Sequence, residues 1–206
     1  MTHAGSPSYK RRLTRKLALA LLAALFSSLL AFARAAAEDL GLSLDPQHTS
    51  INFTLGDALH TVRGTFQAKP SALHLDLAAN KLTGEILVDA RSGQSGSGMR
   101  DRKMHREVLE SDRYPEIAFR PDRFEGTLAP QGKSSVKVHG SFTIHGSDHE
   151  LTAPAEIEMF PDHWTATLHF AVPYAAWGMK NPSNLFLKVS ETVDIDLTAS
   201  GTITRN

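Results

Sequence analysis

The sequence predicts an all-β fold, an antiparallel barrel or sandwich of about nine strands. Three observations carry that prediction. Apolar residues recur at every second position in stretch after stretch, which is the period of a strand with one dry and one wet face. Short turn signals separate the stretches: Gly56-Asp57, Asn80-Lys81, Gly146-Ser147-Asp148 and Pro161-Asp162. Only one segment, Met99 to Leu109, departs toward helical spacing. An antiparallel sheet that is apolar on one side must close on itself or pack on a second sheet.

The longest alternating stretch runs from Leu187 to Ala199. Leu187, Val189, Val193, Ile195, Leu197 and Ala199 share one parity, and Lys188, Ser190, Thr192, Asp194, Asp196 and Thr198 share the other. Glu191 breaks the pattern. It is a carboxylate on the dry side, costly unless it is paired, protonated or near an opening.

In chain order, a lead-in from Leu42 reaches a strand defined by Ile51, Phe53 and Leu55. His60 to Ala68 is the next, with Val62, Gly64, Phe66 and Ala68 inward and His60 opening the same row. A glycine inside a strand marks a bend, a bulge or the close approach of another group, so Gly64 carries that expectation. Leu73, Leu75 and Leu77 form a third strand. Leu82 to Asp89 forms a fourth, with Ile86 and Val88 inward. Arg91 to Gly98 reads as a flexible Gly/Ser-rich loop.

The helix predicted over Met99 to Leu109 has Met99, His105, Val108 and Leu109 loosely on one face and is otherwise charged. Tyr114-Pro115 stops it. A lone polar helix among strands is expected across a sheet end or a barrel mouth. Strands resume from Glu116 to Phe124, with Ile117 and Phe119 inward, and Leu128 to Ser135 reads as loop. The remaining inward rows are Val136, Val138, Gly140, Phe142 and Ile144, then Leu151, Ala153, Ala155, Ile157 and Met159, then Trp164, Ala166, Leu168, Phe170 and Val172. Pro173 to Ser183 is irregular.

Many inward positions are small: Gly64, Ala68, Gly84, Gly140, Ala153, Ala155, Ala166 and Ala199. Barrels of about eight strands either fill with side chains or hold one small ligand. Small inward residues therefore predict an open, dry lumen suited to a hydrocarbon chain, where each buried methylene contributes about 0.8 kcal/mol. The competing expectation is that they mark places where a neighbour packs closely.

Chemistry-bearing residues are sparse. The chain has no cysteine, which excludes a disulfide scaffold, a thiolate metal site and a thiol nucleophile. No nucleophile elbow, phosphate loop or HExxH pattern is present. His145, Asp148 and His149 could supply a His/Asp zinc site, and Met99, Met104 and His105 could suit copper. Surface histidines and helix packing account for both groups more simply, so no metal is expected. Arg100, Arg102, Lys103 and Arg106 form a basic rim on the helix. Such a rim reads either as a solvated face or as a phosphate-steering patch. Arg100, Arg102, His105 and Glu191 are the candidates to meet a ligand's head group.

Residues 1–37 read as a secretory signal peptide. Lys10, Arg11, Arg12, Arg15 and Lys16 form a basic n-region, Leu17 to Phe32 an apolar run, and Ala31 to Ala37 a small-residue cleavage region. The run is short for a membrane span, which needs about 20 apolar residues. Cleavage after Ala37 is expected, with Ala33 and Ala35 as alternatives. The paired arginines hint at twin-arginine export, but adjacent arginines are common in any basic n-region, and that simpler reading is preferred. Lys+Arg and Asp+Glu are each 22. Without the six Lys and Arg of residues 1–37, those five and Arg34, the barrel domain, 38–206, is mildly acidic and has no nucleic-acid footprint.

An ordered set of segments resembles the YceI-like family of exported bacterial polyisoprenoid-binding proteins. They are Asp45-Pro-Gln-His-Thr-Ser-Ile-Asn-Phe53, His60-Thr-Val-Arg-Gly-Thr-Phe66, Arg100-Asp101, Tyr114-Pro-Glu-Ile-Ala-Phe119 and Val138-His-Gly-Ser-Phe-Thr-Ile-His-Gly146. The resemblance spans nearly all of the chain from Leu42 onward. It implies an extended, lipocalin-like antiparallel barrel of eight or nine strands with one short helix near a barrel end. It also implies a periplasmic or secreted location and a lumen that takes a polyprenyl phosphate or the tail of a quinone. The expected lumen residues are His60, Val62, Phe66, Ile86, Phe119, Phe142, Ala155, Trp164, Ala166, Leu168, Phe170, Glu191, Val193 and Ile195.

The resemblance carries no catalytic set and no cofactor, so a carrier is expected in place of an enzyme. The alternatives are an accessory to quinone- or metal-dependent redox chemistry and a filled barrel acting as an interaction module. The expected partner is an isoprenoid lipid, with no nucleic acid and no stable membrane span after cleavage. A homodimer is left open.

Overall fold

The computed structural model describes residues 39–56, 61–183 and 188–205. The predicted signal peptide therefore lies outside the described residues. Ten strands follow one another: β1 Asp39–Leu44, β2 Ser50–Gly56, β3 Thr61–Ala68, β4 Ser71–Asp76, β5 Lys81–Gln94, β6 Glu116–Glu125, β7 Gly132–Ile144, β8 Ser147–Met159, β9 His163–Val172 and β10 Val193–Arg205. All pairings are antiparallel. The sheet closes where β5 pairs with β6.

Eight strands form the ring: β5, β3, β2, β10, β9, β8, β7 and β6. The other two do not widen it. β1 pairs with β10 through Leu40–Leu44, and β4 pairs with β5 through Ala72–Asp76. β2 and β3 occupy the same two places in the ring further along the axis. The chain from β1 to β4 is thus one long hairpin whose two arms break at the same level. Leu44 pairs with Ser71 below the break, and Ile51 pairs with Phe66 above it.

Proline sits at the break in both arms. It cannot donate to a ladder, so Pro46 and Pro70 each end a strand. Local bonds hold the first break: Asp45 accepts from the Gln47 amide at 2.9 Å and pairs with His48 Nδ1 at 2.7 Å. That hydrogen bond with His48 is the main cause of an Asp45 carboxyl held below its ordinary range. The break stays tied to the wall, because the Asp45 amide donates to Ser200 O at 2.8 Å.

Several element boundaries differ from the sequence reading. β1 belongs to the sheet: Leu40, Leu42 and Leu44 alternate and are buried. The predicted loop from Arg91 is still strand as far as Gln94. β7 starts at Gly132, inside the predicted 128–135 loop. The turn before β8 is His145-Gly146, both left-handed, with φ of 52° and 75°. That is the two-residue pattern that matches strand twist. The final strand begins at Val193 and continues past Ala199 to Arg205. Ser190 ends the earlier run: its hydroxyl donates to Thr192 O at 2.8 Å and accepts from the Thr192 amide at 3.2 Å. Such local side-chain bonds compete with a ladder.

The helical segment is α1, Gly98–Lys103, running directly into a wider π turn over Met104–Val108. It joins β5 to β6 at one end of the barrel.

A candidate lipid-binding lumen

A cavity of about 580 Å3 runs inside the barrel. That volume falls in the usual range of ligand sites, about 300–1,000 Å3. The strand period puts every second side chain into it. Val62 and Phe66 of β3, Ile86 and Val88 of β5, Phe119 of β6, Phe142 of β7, Leu168 and Phe170 of β9, and Ile195 and Leu197 of β10 all line it. Each is only partly buried although it faces inward from the middle of a wall. The surface they keep is therefore lumen surface.

The two ends differ. Away from α1, Leu40, Leu42, Leu75, Phe124, Val136, Met159 and Trp164 are buried against one another and close the tube. The α1 end is capped by Ala90, Leu109, Ile117, Ile144, Val172, Tyr174 and Met179. The cavity's exposed lining residues, Met99 and Arg100, lie at the α1 end. So do most of its polar lining groups: Ser95, Ser97, Arg100, Lys103 and Tyr174. One end is packed hydrocarbon, and the other is a mouth with hydroxyls and cations.

Tethers hold the cap in place. His105 Nε2 donates to Gly93 O at 2.9 Å, since a carbonyl can only accept, and its Nδ1 takes the hydroxyl of buried Ser111 at 3.1 Å. Lys103 Nζ donates to Pro182 O at 3.1 Å, and Lys180 Nζ pairs with Glu107 at 2.6 Å. The Lys180 bond is the first cause of a Glu107 carboxyl held below its usual range. Tyr174 OH donates to Ser190 O at 2.6 Å. Burial, then the nearby Glu191 charge, pushes its phenol above the ordinary value. α1 thus reaches across the mouth from β5 to the segment between β9 and β10.

The predicted lumen residues Val62, Phe66, Ile86, Phe119, Phe142, Ala155, Trp164, Ala166, Leu168, Phe170, Val193 and Ile195 all lie on the cavity wall. His60 lies outside the described residues. Glu191 does not face in. It is exposed, in a bend ahead of β10, because the strand on which its parity was counted does not start until Val193. Among the head-group candidates, Arg100 borders the cavity. Arg102 is exposed and off the wall, and His105 is an internal tether.

The small inward residues divide by type. A Cβ on Gly64 would collide with the Phe53 ring, and one on Gly140 with Arg120 O and the Pro121 backbone. Gly84, at φ 112° beside a register shift, is exposed and would collide with Ala72 O. These glycines admit neighbours. Ala153, Ala155, Ala166 and Ala199 do line the cavity.

The sequence reading missed the cap's inward groups Tyr174 and Met179, in a stretch read only as irregular, while Met104 packs inward from the helix as expected. His145, Asp148 and His149 go to separate partners. His145 Nε2 lies 3.3 Å from Glu110 but off a hydrogen-bond axis, Asp148 accepts from Thr143, and His149 stacks on Trp177 at 4.1 Å. Among the described residues no group of three or more His, Cys, Asp or Glu is placed to hold a metal ion. No described helix is long and apolar enough to cross a membrane.

The profile of the YceI-like domain matches residues 42–200. No curated protein matches the chain. Among solved structures, BcnA of Burkholderia cenocepacia is similar at 15% identity and TM-score 0.63, over 76% of this chain and 98% of its own. A polyisoprenoid binding domain from Saccharophagus degradans, implicated in plant cell wall breakdown, is similar at 17% and 0.62, over 78% and 97%. A Campylobacter jejuni YceI protein is similar at 14% and 0.56, over 70% and 86%. At these identities the likeness shows the fold.

Proposed function

The chain belongs to the YceI-like domain family, and from that premise we propose that it is a binding protein for an isoprenoid lipid. The carrying observation is the cavity: about 580 Å3, apolar along its walls, packed shut at one end and polar at the other. A prenyl chain lies along the tube with its tail toward Leu75 and Met159. Its phosphate or quinone head is at the mouth beside Ser95, Ser97, Arg100 and Lys103. Guanidinium and ammonium groups suit a phosphate, and hydroxyls suit either head. Affinity comes mainly from hydrocarbon, at about 0.8 kcal/mol per buried methylene. The similar Saccharophagus domain, which carries polyisoprenoid binding in its description, supports the reading. The signal-like leader supports export to the periplasm, where the barrel acts as a carrier and catalyses nothing itself.

Native mass spectrometry tests this. Protein expressed from the full chain in a bacterium and purified without detergent is expected to carry an added mass that fragments to repeating isoprene units. Recovery of the bare chain alone, or with only fatty acids or phospholipids, overturns the proposal.

A further inference from the structure

Met99 is the exposed large hydrophobic side chain among the described residues, at 77% exposure. It also borders the cavity. A methionine that is at once the most exposed apolar group and part of a lumen's rim stands at the point of exchange. Its neighbours are cationic. Gly98–Val108 carries Arg100, Arg102, Lys103 and Arg106 against Asp101 and Glu107. Positions three and seven apart share a helix face, so Met99, Arg102 and Arg106 form one stripe, while Lys103 is turned to the Pro182 carbonyl. Arg102 and Arg106 are exposed. The opposite face holds Met104, Val108 and Leu109 against the lumen.

The acidic groups of this segment are engaged. Asp101 accepts from the Ser95 amide at 2.8 Å and from its hydroxyl. Glu107 is neutralised by Lys180 at 2.6 Å. Glu110 faces His145 and Arg113, and Asp112 faces Arg91. Glu191 precedes β10, across the ring from β5 and β6, and Asp148 is held by Thr143. The outward stripe of the cap is therefore an apolar tip among cations with no competing carboxylate on it.

We infer that this stripe docks the barrel's mouth on an anionic phospholipid surface. The inference rests on the lipid-binding reading in one respect: a prenyl chain has negligible solubility in water, so a lumen that takes one is loaded where it meets a bilayer. The chemistry of the stripe fits that partner and not a neutral surface. Met99 enters the interfacial region, as apolar residues of interfacial helices do, while the arginines stay with the phosphates. Docked this way, the cavity opens toward the acyl layer.

Co-sedimentation with lipid vesicles free of isoprenoid tests the docking by itself. Protein expressed from the full chain and recovered from the periplasm is mixed with vesicles of phosphatidylcholine alone, or with three parts in ten of phosphatidylglycerol. Each cation near an anionic surface is worth roughly fivefold in partition. Arg102→Gln with Arg106→Gln should weaken binding to the anionic vesicles by roughly 25-fold, and Met99→Ser by about tenfold. High salt should weaken the wild type and spare the double variant. Equal binding to both vesicle types, no binding to either, or anionic binding that ignores these three positions overturns the inference.

A separate titration with a prenyl alcohol dispersed in detergent reads the lumen without any bilayer. The wild type and the Arg102→Gln, Arg106→Gln double variant should bind it alike. Loss of that binding in the wild type would sink the lipid reading, while vesicle docking is judged on its own data.

Discussion

Leu168→Trp separates an open lumen from a filled one. Leu168 is in the middle of β9, paired with Ala155 and Leu197, half-buried and on the cavity wall. Tryptophan adds about six heavy atoms directed into the tube. If the tube is open, the indole buries apolar surface that Leu168, Leu197 and Phe170 now leave accessible, so stability holds or rises. If it is packed, overpacking costs about 1–3 kcal/mol. The ligand reads the same substitution oppositely. Displacing about four to six carbons of a prenyl chain, at about 0.8 kcal/mol each, removes about 3–5 kcal/mol. That is a Kd weaker by roughly 200- to 4,000-fold. Urea unfolding gives the first number, and titration with a detergent-dispersed prenyl alcohol gives the second. A variant that unfolds more easily by over about 1 kcal/mol refutes the open-lumen reasoning, and so does one that is fully stable yet binds as before. Ala155 and Ala166 are poorer places for this test. At 2% and 8% exposure little of either side chain reaches open lumen.

Other perturbations follow from the same geometry. Leu40→Ala, in the packed end at 1% exposure, should cost about 2–5 kcal/mol in urea unfolding and leave prenyl binding per folded molecule unchanged. Gly140→Ala should lower the melting temperature, because its Cβ meets the backbone of Arg120 and Pro121, which cannot swing aside as a side chain would. Tyr174 gives a signed pH effect. Its phenol is pushed above 10.0, so the native state keeps a proton that the unfolded chain gives up first. The stability it supplies is complete below that ordinary value and is lost as pH rises through the native one. Tyr174→Phe should therefore flatten the alkaline decline of the unfolding free energy. An equally steep decline in the variant would assign the effect elsewhere.

What could be read from the sequence follows the physics of each signal. Period-two alternation is a property of single strands, so the inward rows of β3, β8 and β9 were legible residue by residue. Which strands close the barrel and where the hairpin breaks were not, because β5–β6 pairing and the shared level of Pro46 and Pro70 are facts about partners. Strand ends were legible only where a turn dipeptide marked them. Ser190 stopped a run through hydrogen bonds to Thr192 that leave no mark on hydropathy, and Glu191 was misplaced with it. Glycine misled for a related reason. Its missing side chain shows that something is close, and the sequence does not say whether that is a ligand or Phe53.

The lumen's polarity from end to end comes from that hairpin. An eight-stranded ring is just wide enough to choose between side chains and a ligand. Below the break, β1 and β4 contribute Leu40, Leu42, Leu44, Leu73 and Leu75, large side chains that meet Met159, Trp164 and Phe124 and fill the tube. Above it, β2 and β3 are thinned by Gly64 and face β9 and β10 across the cavity, so a space persists up to the cap. Because two paired arms break at one level, the barrel can pack to different densities on either side without distorting the continuous strands β7, β8 and β10. Stability is thus concentrated at the end away from α1. The mouth is held by the smaller apolar cluster around Leu109, Tyr174 and Met179 and by individual tethers at His105, Lys103, Lys180 and Tyr174.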